Sequence, residues 1–154
     1  MRYIAISAMI ALSAAPAVAQ DFVFWPDPIL DCLDDAVDAS MRQRCIGVGA
    51  NLCMIDNPGG SSTIGMGSCL DQERAWWDAR LNDVYGSLQD QFTDRADVQE
   101  NLRGMQRAWI AYRDSRCDFE FVQWNGGTGQ GPALLACLMA ATAEQTFVLE
   151  DQLR

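Results

Sequence analysis

Six cysteines constrain the fold of this chain more than any other feature of its sequence. They are Cys32, Cys45, Cys53, Cys69, Cys117 and Cys137. In an oxidising compartment an even number of cysteines can pair completely, and each pair fixes which segments are neighbours. Metal binding is the alternative, but the chain has no C-x-x-C pair and no His, so it lacks the usual ligand spacing of a zinc site. We therefore predict three disulfides, and we expect no metal and no cofactor.

The beginning of the chain predicts export to such a compartment. It has Arg2 near the start, an apolar run over residues 4–15 and an A-x-A sequence at residues 17–19. This pattern is typical of a secretory signal peptide, and the run is too short to span a bilayer. We predict a signal peptide over residues 1–19 and a secreted or periplasmic protein with no membrane span.

The charge balance restricts the class of partner. The formal net charge is −10, from 11 Arg and no Lys against 21 acidic residues, and removal of Arg2 with the signal peptide takes it from −10 to −11. Nucleic-acid binding requires cations that neutralise phosphates, so we expect no nucleic-acid partner. A field of this sign attracts a basic protein at long range.

The spacing of apolar residues predicts an all-α protein with a short N-terminal helical hairpin and an antiparallel three-helix core. Residues 20–68 form an N-terminal arm, the Cys-rich hairpin and a Gly-rich loop. Residues 69–154 form the helical domain. Its first two long helices are expected from the N-cap Ser68 onward and, after an N-cap at Asp94, over about residues 97–123.

A third long helix is predicted to begin at Gly131-Pro132, because proline is tolerated in a first helical turn. Its expected buried face is interrupted by Thr142 and Gln145. That face comprises Leu134, Leu138, Ala141 and Val148.

The positions of the predicted turns also suggest how the cysteines pair. Two cysteines lie at similar distances from a turn near Ala39, two flank the Gly-rich loop at residues 56–68, and two lie on either side of NGGTGQG at residues 125–131. Antiparallel helices would place each pair side by side. We predict Cys32–Cys45, Cys53–Cys69 and Cys117–Cys137, one of fifteen possible sets.

Four aspartates in the hairpin fall at helical spacings i, i+3, i+4 and i+7, which predicts one acidic stripe. They are Asp31, Asp34, Asp35 and Asp38. Such a stripe is either a solvated helix face or a contact for a basic protein.

The stretch QRAWIAYRDSRC, residues 106–117, is dense in residues that active sites use. A catalytic interpretation is weak, because the chain has no His to orient Asp114 or to act as base for a Cys nucleophile. We interpret the stretch as structural, with Trp109 and Tyr112 in the core.

Two further interpretations concern charged residues of the long helices. Arg113 and Asp114 are expected to pair with Glu73 or Asp78 on the preceding helix and to set its register. Carboxylate pairs that include Glu144 are an alternative as a glycosidase site, but among 21 acids some pair falls at the required distance by chance. GGTGQG lacks the Lys of a phosphate-binding loop, so we interpret it as a connection between helices. Since neither the carboxylates nor this loop predicts a catalytic site, we expect no enzyme.

Two spaced blocks resemble the LprI-type lysozyme-inhibitor domain. They are WD-x-x-LN-x-x-Y at residues 77–85 and QRAW-x-x-YRD-x-x-C at residues 106–117. The resemblance extends over about residues 69–153. The motif positions are Glu73, Trp77, Asp78, Leu81, Asn82, Tyr85, Gln106, Trp109, Tyr112, Arg113 and Asp114. The family usually has an Arg shortly after its last Thr, whereas residues 143–148 here read AEQTFV.

The resemblance implies a small, secreted, helical, Cys-rich bacterial protein that binds and blocks lysozyme. Animal c-type lysozymes are basic, which agrees with the acidic charge of this chain. The alternatives are a non-enzymatic binding module for another cell-envelope protein and an enzyme that acts on a polysaccharide.

Overall fold

The structure, a computed structural model, describes residues 21–153, and within that range it contains six helices and no strand. The helices are α1 (Asp27–Asp34), α2 (Ala39–Arg44), α3 (Val48–Asp56), α4 (Thr63–Gln91), α5 (Ala96–Gln123) and α6 (Gln130–Glu150). The predicted all-α fold class is confirmed. The predicted signal peptide, residues 1–19, lies outside the described residues.

The N-terminal segment forms three short helices where two were predicted. α1 ends at Asp34, and α2 begins after Asp38, whose carboxylate accepts a hydrogen bond from the backbone nitrogen of Met41 at 2.8 Å. Gly47 then separates α2 from α3 with a φ of +89°, a conformation that glycine adopts without steric cost. The four aspartates of residues 31–38 are all exposed, but they do not form one helical stripe.

The long helix α4 begins earlier than the predicted cap at Ser68. The hydroxyl of Ser62 is the N-cap instead, and it accepts a hydrogen bond from the backbone nitrogen of Gly65 at 3.0 Å. A Cβ on Gly65 would collide with the backbone of the preceding turn. Part of the glycine content of residues 56–68 thus permits close packing at a helix start, which composition alone cannot distinguish from a loop.

Helices α5 and α6 begin within about a residue of the predicted positions. The predicted cap Asp94 is wrong, because the N-cap position is Arg95 and its side chain makes no capping hydrogen bond. Each helix therefore follows the apolar spacing in its interior more closely than the cap signals at its ends.

α6 is the central helix of the fold, with α4 packed along it and α5 packed against it. Because two helices cover α6, its buried face also includes Thr142, Gln145 and Thr146. The two threonine hydroxyls donate hydrogen bonds of 2.7 and 2.9 Å to carbonyl oxygens of their own helix. Val148, predicted to be buried, is 48% exposed.

The three disulfides have the predicted pairing, Cys32–Cys45, Cys53–Cys69 and Cys117–Cys137. The first joins α1 to the end of α2, the second joins α3 to α4, and the third joins α5 to α6. Covalent links of this kind constrain the unfolded chain and so stabilise a small fold.

The larger buried cluster unites the N-terminal helices with the long ones. Ile29 of α1 and Ala50 of α3 pack in it with Trp77 of α4 and Phe147 of α6. Within the described residues, α6 is long and apolar enough to cross a membrane, with a mean hydropathy of 1.4, but half of that apolar window is buried inside the protein. A core helix of a soluble protein has the same property.

Candidate functional site

A surface groove of about 490 Å³ lies between α4 and α5. Both helices pack on α6 but approach each other less closely, which leaves the groove open. Its volume is within the range of small-ligand sites. The lining residues are Asp78, Leu81, Asn82, Tyr85, Arg103, Gln106, Arg107, Trp109, Ile110 and Arg113.

Most of the motif residues that carry the family resemblance line this groove. They are Asp78, Leu81, Asn82, Tyr85, Gln106, Trp109 and Arg113. The sequence predicted a structural role for these positions, and the structure instead places them together at a concave surface. The two motif blocks are thus brought together from opposite walls, one from α4 and one from α5.

The prediction that residues 106–117 fill the core is wrong for Tyr112, which is 63% exposed. Trp109 is only partly buried and packs at the edge of the smaller core cluster, which is built around Leu81 and Leu88. The physical reason is that α5 packs closely on α6 alone, which covers one side of the helix. Tyr112 follows the helical spacing of apolar residues but remains exposed, because no other helix covers it.

The predicted pairing of Arg113 is also wrong. Its guanidinium bonds to the adjacent Asp114, with an Nε–Oδ1 distance of 2.9 Å, and not to Glu73 or Asp78 of α4. The guanidinium carbon lies 4.9 Å from the ring centroid of Trp109, a distance at which the ring face attracts a cation. Arg113 is therefore held in place on the groove wall.

Glu100 holds the two other arginines of the groove. Its carboxylate is 3.1 Å from Nε of Arg103 and 3.2 Å from Nη2 of Arg107. The hydrogen bonds from Arg103 and then from Arg107 keep the pKa of Glu100 below its usual value. The two guanidinium groups thus favour the ionised form of Glu100, which lies beside both of them.

Gln106 contributes a buried polar group to the groove. The residue is 8% exposed, and its Oε1 accepts a hydrogen bond of 2.6 Å from Nε2 of Gln145. Its own Nε2 makes no hydrogen bond to a described residue and is accessible to solvent. This N–H donor is available to a molecule in the groove.

Glu73 performs a structural task that the sequence reasoning missed. Its side chain is fully buried and accepts hydrogen bonds from the backbone nitrogens of Gly47 and Ala50, at 2.6 and 2.7 Å, and from Nε1 of Trp77 at 2.9 Å. A signal existed, because Glu73 falls on the i, i+4 line between Cys69 and Trp77, where an acid on an apolar stripe requires partners.

The aspartates proposed for partner binding, residues 31–38, are not among the residues that line the groove. Asp31 and Asp34 are in the last turn of α1, and Asp35 is its C-cap. None of the aspartates at residues 31–38 forms a salt bridge with a described residue. Three of them thus face the negative end of a helix dipole without a compensating cation.

The groove is suited to binding. It combines aromatic surface with guanidinium and amide donors, and these groups recognise ligands without a nucleophile–base pair. The motif residues Glu73 and Trp77 do not line the groove, and Glu73 attaches α4 to the start of α3.

One family model and two uncharacterized proteins match this chain. The model of the family described as "Lysozyme inhibitor LprI" matches residues 53–149. The chain is similar to an uncharacterized 17.7 kDa protein in the puhA 5' region of Rhodobacter capsulatus, with 23% identity over 133 residues, 78% of this chain and 81% of that protein.

It is also similar to an uncharacterized protein of Rhizobium meliloti (strain 1021), with 29% identity over 101 residues, 58% of this chain and 73% of that protein. No solved structure matches the chain significantly. The segment matched by the family model contains every residue that lines the groove.

Proposed function

Because this chain belongs to the LprI lysozyme-inhibitor family, we propose that it is a secreted or periplasmic protein that binds lysozyme and blocks it. The observation that carries the proposal is the family match over residues 53–149. The three disulfides support the location, because such bonds form and persist outside the cytoplasm.

The charge of the protein supports a basic partner. The net charge of −10 produces a field that raises the rate of encounter with a basic lysozyme. The protein would act by occupying the substrate cleft of the enzyme and not by catalysis. Inhibition therefore depends on a stable complex and reaches completion near one inhibitor per enzyme.

The exposed aspartates of residues 31–38 are our first candidate for the contact surface. They have no cation partner among the described residues; Asp38 caps α2, and the other three lie at the end of α1. These exposed like charges without a cation are available to pair with a basic surface.

The second candidate is the turn between α3 and α4. Ile55 and Ile64, on either side of this turn, are 75% and 79% exposed. Exposed large apolar residues of this kind can serve as the anchors that protein interfaces bury.

The test of function is a clearing assay. The oxidised protein is titrated into a basic c-type lysozyme acting on a bacterial suspension, at low and at physiological salt. We expect complete loss of clearing near equimolar inhibitor at both salt concentrations. Loss at low salt alone would mean nonspecific charge attraction, and undiminished clearing would redirect the proposal to another envelope protein. Release of soluble sugar fragments by the protein itself would indicate a polysaccharide-acting enzyme.

The test of the contact surface uses charge-matched variants. The triple variant D34N/D35N/D38N retains an Asn cap on α2, and it should slow association with lysozyme about three- to tenfold at low salt. The variant D83N/D90N/D118N removes three exposed acids elsewhere and should have less effect. Equal association rates for the two variants would exclude the 31–38 surface.

A further inference from the structure

We propose that the groove between α4 and α5 is a binding site for a carboxylate group attached to an apolar or aromatic body. The proposal does not depend on lysozyme binding, because it concerns the groove alone. It rests on the position of three arginines, on one unpaired amide donor and on the apolar and aromatic residues of the lining.

The distribution of charge is the first argument. The chain has 11 Arg and no Lys against 21 acidic residues, yet Arg103, Arg107 and Arg113 converge on one groove. Asp78 is the only acid among the lining residues. The lining of the groove therefore presents three guanidinium groups and one carboxylate to a ligand.

Each of the three arginines forms an ion pair and still has N–H donors that a ligand could use. Arg103 donates to Glu100 through Nε and Arg107 through Nη2, while Arg113 bonds to Asp114. A guanidinium has five N–H donors in a planar fork. Each arginine thus keeps donors for a ligand while its acidic neighbour restricts its motion, which lowers the entropy lost on binding.

The small net charge of the groove favours a carboxylate over a phosphate as the anionic group of the ligand. The three guanidinium charges are balanced by Asp78, Glu100 and Asp114, so the groove has directed donors but little net positive field. A phosphate with nearly two charges needs a stronger field. A single carboxylate can take a planar, two-point bond from one guanidinium with less opposing repulsion.

The other lining residues indicate the chemistry of the uncharged part of the ligand. Leu81, Tyr85, Trp109 and Ile110 form an apolar and aromatic wall, and Ile110 is 43% exposed. Gln106 also lines the groove, is 8% exposed and has an Nε2 without a partner among the described residues. A flat apolar body on the wall would place a hydrogen-bond acceptor within reach of that amide.

The experiment compares matched probes on the oxidised protein. N-acetyl-phenylalanine carries the carboxylate, N-acetyl-phenylalaninamide lacks it, and inorganic phosphate tests the anion class. Binding is followed by nuclear magnetic resonance at the indole N–H of Trp109 and the Nε–H of Arg113. We expect saturable shifts with the carboxylate and at least tenfold weaker affinity for the amide. Equal affinity for acid and amide, or tighter binding of phosphate, would overturn the proposal.

Matched variants locate the site. R103Q and R107Q should each weaken binding of N-acetyl-phenylalanine about five- to tenfold. The control R95Q removes an exposed arginine that pairs with Asp97 outside the groove and should change the affinity less than twofold. An equal loss in R95Q would mean nonspecific charge attraction and contradict the site.

A second probe distinguishes the source of the carboxylate. A short peptide whose single acid is an internal Glu beside Phe presents a side-chain carboxylate with a blocked terminus. Binding of this peptide in the groove supports the proposal with a protein segment as ligand, and tighter binding of N-acetyl-phenylalanine supports it with a free acid. Failure of both probes to shift the Trp109 and Arg113 signals contradicts it.

Discussion

The carboxylate of Glu73 takes the place of a missing N-cap on α3. The cap position is Gly47, which has no side chain, and Glu73 bonds to the backbone nitrogens of both Gly47 and Ala50. In a capping box two different side chains of the helix make these bonds. Here one residue from another helix makes both, so the start of α3 and its attachment to α4 depend on a single side chain.

Replacement of Glu73 by Gln should lower the free energy of unfolding by about 2–4 kcal/mol, because the amide nitrogen would face a backbone N–H and leave buried donors unpaired. Chemical denaturation of the oxidised protein measures this. The control E144Q changes a half-exposed glutamate that pairs with Arg116 and should cost less than about 1 kcal/mol. A near-wild-type midpoint for E73Q would mean that the hydrogen bonds to Gly47 and Ala50 are dispensable.

The tryptophans of the two motif blocks should differ in their contribution to stability. Trp77 is fully buried, donates to Glu73 and lies edge-on to Phe147 at 5.3 Å, so Trp77→Ala should cost about 3–5 kcal/mol. Trp109 is partly exposed on the groove wall, so Trp109→Ala should cost about 1–2 kcal/mol. Thermal melts of the two variants provide the comparison, and a larger cost for Trp109→Ala would place that residue in the core after all.

At the scale of elements, the sequence predicts the interiors of the helices better than their caps and the breaks between them. Apolar spacing predicted α5 nearly to the residue, because amphipathic periodicity persists over many turns, and Gly131-Pro132 predicted the start of α6 to within a residue. The caps at Ser68 and Asp94 failed, because capping signals are short and several serines and aspartates compete near each helix start. The break at Gly47 depends on a backbone angle, and one glycine in a sequence does not reveal its φ.

The site was harder to predict than the fold. The sequence supplied every motif residue of the groove but assigned Trp109 and Tyr112 to the core, since spacing shows that a residue is on an apolar face and not whether another helix covers that face. The partner of Arg113 could not be predicted either, because Asp114 beside it and the acids of α4 are equally plausible until the helices are placed.

The link between α5 and α6 is the element whose removal is most informative. α5 buries only Gln106 and Cys117, so the Cys117–Cys137 disulfide has a large share in holding it. The double variant C117A/C137A should lose about 3 kcal/mol, with amide hydrogen exchange accelerated more in α5 than in α4. Equal acceleration in both helices would show that α5 is held mainly by packing.

At the scale of the whole molecule, the aspartates of residues 31–38 and the residues that line the groove are different parts of one disulfide-linked chain. The net charge of −10 favours encounter with a basic protein, whereas specificity requires particular contacts. Electrostatic attraction without such contacts disappears as salt screens it. Salt dependence therefore separates a specific inhibitor from an acidic protein that adheres to basic ones.

The most direct measurement is a calorimetric titration of the oxidised protein into a basic c-type lysozyme at about 0.02 M and about 0.15 M salt, where the screening length falls to about 8 Å. The family membership predicts saturable one-to-one binding at both concentrations, weaker at the higher one but still present. Binding that vanishes at about 0.15 M salt, or no binding heat accompanied by unaltered lysozyme activity, would contradict lysozyme inhibition as the function of this protein.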